Sequence, residues 1–115
     1  HGNYVKYLEI ARCAMLASMD YDIPQMEASG YAWPIVDMRL KYTRPIVYGQ
    51  IVVVTCEVVE WEHRLKVAYQ MHDKATGQLL NKAYTIQVAV DMSTKEMCYQ
   101  TPQILADCLG VKTNV

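Results

Sequence analysis

Phenylalanine is missing altogether from this 115-residue chain, and nine tyrosines and two tryptophans carry its aromatic content. A surplus of basic charge is missing too. Eleven Lys and Arg stand against twelve Asp and Glu, a formal net charge of −1. That balance gives no electrostatic reason to expect nucleic acid, whose binders usually carry a basic face. No apolar run reaches membrane-spanning length, and no charged-then-apolar secretory signal opens the chain. The four cysteines, Cys13, Cys56, Cys98 and Cys108, lie far apart with no C-x-x-C pair. Such spacing suits neither a metal site nor a disulfide framework, so reduced, mostly buried thiols in a cytoplasmic protein are expected. A glycine-rich phosphate loop, a serine nucleophile elbow and a zinc signature are all absent.

What remains is the composition of an ordinary globule, 52% hydrophobic and 20% charged. Its length suits one domain over residues 1–115, with a single core. The opening stretch, His1 to Tyr21, has no proline and no glycine after Gly2, and it reads as a long helix with Asn3 as N-cap. Lys6, Glu9 and Arg12, spaced by three, form one narrow polar stripe on an otherwise apolar wheel. A helix apolar nearly all round is expected to be surrounded by the rest of the chain.

Pro24 ends that helix, a short helical turn follows, and Gly30 releases the chain into extended structure. Val36, Met38, Leu40 and Tyr42 alternate with Asp37, Arg39, Lys41 and Thr43, the period-two pattern of a half-buried strand. Ile51 to Trp61 is β-branched and apolar on both faces, which predicts a strand in the sheet interior. Leu65 to Met71 and Tyr84 to Val90 alternate again. Glu62-His63-Arg64 and Asp73 to Gln78 supply turns, the second with Gly77 at a left-handed position. Pro102 to Leu109 reads as a closing helix ended by Gly110. Helix first and four strands after predict an antiparallel α+β arrangement in which a sheet wraps one helix.

That arrangement describes the hot-dog fold, and two motifs agree with it. His1-Gly2-Asn3-Tyr4-Val5-Lys6-Tyr7-Leu8-Glu9-Ile10-Ala11-Arg12 resembles the H-x-x-Y-x-x-(Y/F)-x-E-x-A-R segment of the YbgC and 4-hydroxybenzoyl-CoA thioesterase branch. The run from Val36 to Pro45, followed by Tyr48-Gly49, is similar to that branch's strand, its Y-x-x-P loop and the turn after it. The resemblance implies hydrolysis of an acyl-CoA or acyl-carrier thioester without metal or cofactor, coenzyme A being part of the substrate. It also implies a homodimer or homotetramer whose sites are built from both subunits. In the family a first strand and a catalytic aspartate precede the histidine at the helix start. Here the chain begins at His1, so that strand and that acid are expected upstream of it.

A helix N-terminus presents unpaired N–H groups and a positive dipole end, which suits an oxyanion developing on a thioester carbonyl. His1 and Glu9 are the candidate catalytic side chains. Imidazole titrates near neutrality, and a carboxylate two turns into a buried helix has its proton affinity raised. An intrahelical pair with Arg12 at i,i+3 is the structural reading of Glu9. Asn3, Tyr4 and Tyr7 are candidates to line the acyl pocket. Arg44, Arg64 and Lys66, at strand ends and turns, are candidates for the coenzyme A phosphates. Nothing marks His63 or His72. A hot-dog hydratase or dehydratase using His1 and Glu9, and a non-catalytic acyl-thioester-binding or assembly module, are the alternatives to the thioesterase.

Overall fold

The structure, a computed structural model, describes residues 2–19, 21–42, 44, 47 and 49–109, with the backbone alone at residues 2–5, 23, 42, 106, 107 and 109. Helix α1 (Gly2–Ser18) leads to the short α2 (Ile23–Ser29), with Pro24 in its first turn. Proline's missing N–H costs nothing at that position. Strands β1 (Tyr31–Ala32), β2 (Ile35–Tyr42), β3 (Val52–Glu60), β4 (Leu65–Asp73), β5 (Leu79–Gln87), β6 (Val90–Asp91) and β7 (Glu96–Met97) follow, and α3 (Gln103–Leu109) closes the order.

Four strands form an antiparallel sheet in the order β2-β5-β4-β3. The predicted α+β arrangement is therefore observed. Residues on one sheet face are set by register. Val54, Cys56 and Val58 stand opposite Met71, Tyr69 and Val67, which in turn oppose Asn81, Ala83 and Thr85. This face meets α1. Leu8 and Leu16 on the helix join Leu65, Val67, Tyr69 and Met71 in the buried core, with Tyr21, Trp33, Ala89 and Leu105. Leu8, Arg12 and Leu16 are one helical row at i,i+4, and all three are buried.

Three expectations need correction. Helix α1 is covered along one side only, because Tyr7, Glu9, Ile10, Cys13, Ala14 and Ala17 are exposed. Strand β3 lies at the sheet edge rather than in its interior, and Val53 and Val59 face outward although they are apolar. Asn3 is not the N-cap, since helical structure already starts at Gly2. A small second sheet, β1-β6-β7, was not foreseen. Its strands are two residues each, too short to show a period.

Two turns share one design. Asp73 and Asp91 each open a five-residue turn, with a 2.7 Å hydrogen bond from Gly77 N to Asp73 O in one and from Lys95 N to Asp91 O in the other. The carboxylate of Asp73 accepts from Ala75 N and Thr76 Oγ1, and that of Asp91 from Ser93 N and Ser93 Oγ. The fifth residue takes positive φ, 75° at Gly77 and 63° at Lys95. Left-handed φ costs a residue with a Cβ about 1–2 kcal/mol, part of which glycine's backbone entropy would offset. Lys95→Gly is therefore expected to raise the unfolding free energy by roughly 0.5 kcal/mol, and Gly77→Lys to lower it by about 1 kcal/mol, in urea titrations.

The same carboxylates set an acid limit. The Ala75 N–H, then Gln50 and Thr76, hold Asp73 below its ordinary 3.8, and the Ser93 and Thr94 groups do so for Asp91. A depressed folded-state value means stability that is present above 3.8 and lost as pH falls through the lower, folded value. The unfolding free energy should thus decline below about pH 4, and Asp73→Asn with Asp91→Asn should flatten that decline.

Candidate active site

The helix that carries the first motif is anchored by an unusual residue for a core. Arg12 sits between Leu8 and Leu16 at 8% exposure. Its Nη1 donates to the Tyr69 hydroxyl at 3.4 Å, and that hydroxyl lies 2.7 Å from Thr85 Oγ1. Tyr69 and Thr85 are on neighbouring strands facing α1 and are themselves buried. Burial pushes the Tyr69 phenol up, while its bonds to Thr85 and Arg12 and the guanidinium charge pull it down. Burial likewise pushes the Cys56 thiol up against the same charge. Arg12 therefore stands over the middle of the sheet, within the field of three strands.

This placement removes the expected Glu9–Arg12 pair. Glu9 is exposed, contrary to its expected burial, and the ion pair found among the described residues is Glu60–Arg64, at 3.1 Å. Spacing by three turns each residue 60° back around the wheel, so the stripe Lys6, Glu9, Arg12 twists from solvent into the core. Glu9 is left without an ion or hydrogen-bond partner among the described residues. Tyr7 is 41% exposed on the same helix. Asn3 and Tyr4 lie in the first turn of α1, where only the backbone is described, and His1 falls outside the described residues.

Arg12, Cys13 and Leu16 also share a cavity of about 170 Å³ with Tyr21, Asp22, Met26, Trp33 and Gln87, the last at the C-terminal end of β5. Trp33 Nε1 donates to Tyr21 Oη at 2.7 Å, the rings meeting edge to face, and Gln87 Nε2 donates to the Trp33 carbonyl at 2.8 Å. The helix start is directed away from that end. A rise of 1.5 Å per residue puts Gly2 roughly 24 Å from Ser18.

The three candidate cations do not gather in one chain. Arg44 follows β2, its N–H donating to Leu80 O beside the β4–β5 turn. Arg64 and Lys66 stand at the β3–β4 hairpin, the other end of strands about 27–30 Å long. Arg64 is held by Glu60. Lys66 points to the sheet face away from α1, with its ammonium 4.6 Å from the centroid of the Tyr84 ring. On that outer face Tyr84 also donates to Asp37 at 3.3 Å, and Arg39, Lys41 and Lys82 lie beside it. A larger cleft, about 680 Å³, lies between the β2–β3 loop and the β4–β5 turn, lined by Val47, Gly49, Ile51, Asp73 and Lys74.

Sequence reasoning missed Arg12, Tyr69 and Thr85 as a connected polar set, and Gln87 beside the same cavity as Arg12. The i,i+4 row Leu8-Arg12-Leu16 was the available signal for Arg12, and the alternation of β4 put Tyr69 inward. Cys13 is exposed and the other three thiols are half-buried, so burial of the cysteines is less complete than expected. Among the described residues no group of three His, Cys, Asp or Glu could hold a metal, and no helix is long and apolar enough to cross a membrane.

Residues 1–108 match the family model described as the thioesterase-like superfamily. Over 92 residues the chain is 29% identical to a Bacillus subtilis protein named as an acyl-CoA thioesterase, YneP, covering 79% of the chain and 66% of that protein. It is 28% identical over 110 residues to a Synechocystis protein named as an esterase, sll0410, covering 95% and 66% respectively. The chain thus spans 66% of the length of these curated relatives. Among solved structures, the hypothetical protein TT1821 of Thermus thermophilus superposes with a TM-score of 0.81 at 25% identity, over 96% of the chain and 82% of its own. The 1,4-dihydroxy-2-naphthoyl-CoA thioesterase Slr0204 of Synechocystis gives 0.82 at 19% identity, over 95% and 80%. At that identity the likeness speaks for the fold, which is the hot-dog fold.

Proposed function

The chain belongs to the thioesterase-like superfamily, and from that premise we propose that it is part of an acyl thioester hydrolase. The substrate we assign is an acyl-CoA or an acyl-carrier thioester, in the manner of the YbgC and 4-hydroxybenzoyl-CoA branch. Its carbonyl lies at the start of α1, where orphan N–H groups and the helix dipole favour the developing oxyanion. Such donors lower the barrier by about 3 kcal/mol in measured oxyanion holes. Water adds to the carbonyl carbon and gives a proton to a general base, the C–S bond breaks, and the thiolate leaves to take up a proton. The products are a carboxylic acid and a thiol.

His1 and Glu9 are the general acid and base of this reading on the present chain, beside the aspartate that the resemblance implies upstream. Asn3, Tyr4 and Tyr7 line the acyl side, and Arg44, Arg64 and Lys66 meet the phosphates. Because the last three are spread over both ends of one sheet, a site using all of them draws on more than one subunit. A homodimer or homotetramer is accordingly part of the proposal. An edge strand and a half-uncovered apolar helix favour such association, with Ile10 57% and Val59 50% exposed.

One observation carries the assignment of Glu9: it is a helix carboxylate freed from Arg12 and open to a ligand. Glu9→Gln is expected to lower kcat for thiol release about 100-fold with KM little changed, as for loss of a general base. Unchanged turnover would move the base to the upstream acid. Hydration of an enoyl thioester without thiol release would favour the hydratase reading instead.

A further inference from the structure

We propose that Arg12, Tyr69 and Thr85 form a pin that fixes the rotation of α1 on the sheet, which makes Arg12 a positioning residue for the helix start and for Glu9. Its consequence for turnover rests on the thioesterase reading; the pin itself rests on geometry alone. Arg12 is buried at 8% exposure, yet no described carboxylate lies within 4.0 Å of its guanidinium. A buried charge without an ionic partner recovers little of its lost hydration, so an apolar residue there would serve stability at least as well. What a buried polar group does supply is direction, and fixing register is its best-attested use.

The chain of donors has one sense. A guanidinium only donates, so Tyr69 Oη accepts from Arg12 Nη1 at 3.4 Å, which leaves its own hydrogen for Thr85 Oγ1 at 2.7 Å. Tyr69 and Thr85 are 1% and 0% exposed and stand on β4 and β5, the two inner strands of the sheet. Among the described residues this is the one hydrogen bond or ion pair that joins α1 to the four-stranded sheet. The other buried contacts of the helix, through Leu8 and Leu16, are apolar. Apolar burial is non-directional. It holds α1 down and leaves its roll about the helix axis to the pin.

Small rolls have large effects at the site. A roll of about 25° moves a Cα at 2.3 Å radius by about 1 Å, and a carboxylate at roughly 5–6 Å radius by about 2.5 Å. Misplacement by 1 Å costs about 100-fold in rate. Gly2, Glu9 and Arg12 share one continuous helix, so the N–H groups at its start and the Glu9 carboxylate turn together with Arg12.

The test is Arg12→Met combined with Tyr69→Phe, which removes the pin and leaves no buried charge behind. With the acyl-CoA that the unsubstituted chain turns over best, kcat for thiol release is expected to fall about 10- to 100-fold, with KM within about threefold. A merely structural role would lower the melting temperature and leave kcat per folded molecule unchanged. Two-dimensional ¹H–¹⁵N spectra supply a readout that needs no turnover. The α1 amides from Tyr7 to Leu16 should be single in the unsubstituted chain and doubled or broadened in the variant, while those of β2 stay single in both. If the unsubstituted chain releases no thiol, the thioesterase reading fails and the spectra alone decide the pin. If the double variant does not melt cooperatively, Tyr69→Phe carries the same two measurements. A single sharp set of α1 amides in the variant that folds, or broadened amides with kcat unchanged, would overturn the proposal.

Discussion

Leu8→Ala should lower the unfolding free energy by about 3 kcal/mol, within the range measured for buried leucines cut to alanine. Leu8 has no exposed surface and is the first described side chain through which α1 reaches the core. Its helical row continues with Arg12 and Leu16, so removing it leaves a cavity under the half of the helix that carries the first motif. The rest of α1 offers little compensation, because Tyr7, Ile10 and Ala14 face outward. Leu8→Met, which keeps volume, should cost less than about 1.5 kcal/mol. Urea unfolding of both variants checks the pair. A small effect of Leu8→Ala would mean that the helix is held chiefly by its later half.

Trp33→Ala should cost about 4 kcal/mol for related reasons. The indole is 8% exposed, meets the Tyr21 ring at 6.0 Å and 87°, and donates to its hydroxyl. That hydroxyl also lies 3.0 Å from Ser29 Oγ, so one residue ties α1's exit, α2 and the sheet together. Trp33→Phe keeps a ring but removes the N–H donor to the Tyr21 oxygen, whose hydroxyl keeps Ser29, and about 1 kcal/mol is expected. Thermal melts of the two substitutions separate ring packing from the hydrogen bond. Equal losses would assign the whole effect to the N–H donor.

Much of this fold was legible from period alone. Alternation placed Val67, Tyr69 and Met71 on one face of β4, and they are buried there. Asp73 and Gly77 marked their turn by chemistry, and Gly77 does take positive φ. Strand β3 misled because a run apolar on both faces cannot by itself distinguish an interior strand from an edge strand. Its place at the end of the order β2-β5-β4-β3 makes it an edge, with Val53 and Val59 exposed on its outer face. Arg12 misled for another reason. It was read as one member of a polar stripe with Lys6 and Glu9, whereas its i,i+4 position between Leu8 and Leu16 fixed it in the core. Gln87 carried no signal in one dimension, since its partner is a backbone carbonyl 54 residues away.

Residue-level reading of the site was more uneven. The motif pointed to the helix start as its place, where the side chains of residues 2–5 are not described, and Glu9 has no ion-pair partner among the described residues. Arg44, Arg64 and Lys66 were chosen for lying at turns, but turns occur at both ends of a sheet, and these divide between them. Tertiary distance, which decides whether three cations meet one phosphate group, is not written in spacing along the chain.

Thiol release from a panel of short, long and aromatic acyl-CoAs, assayed with the protein, tests thioester hydrolysis most directly. The account predicts turnover of at least one member well above the uncatalysed rate, with a free acid and coenzyme A formed in equal amounts. Saturable binding of acyl-CoA with no thiol released from any member would contradict it and leave an acyl-thioester-binding module.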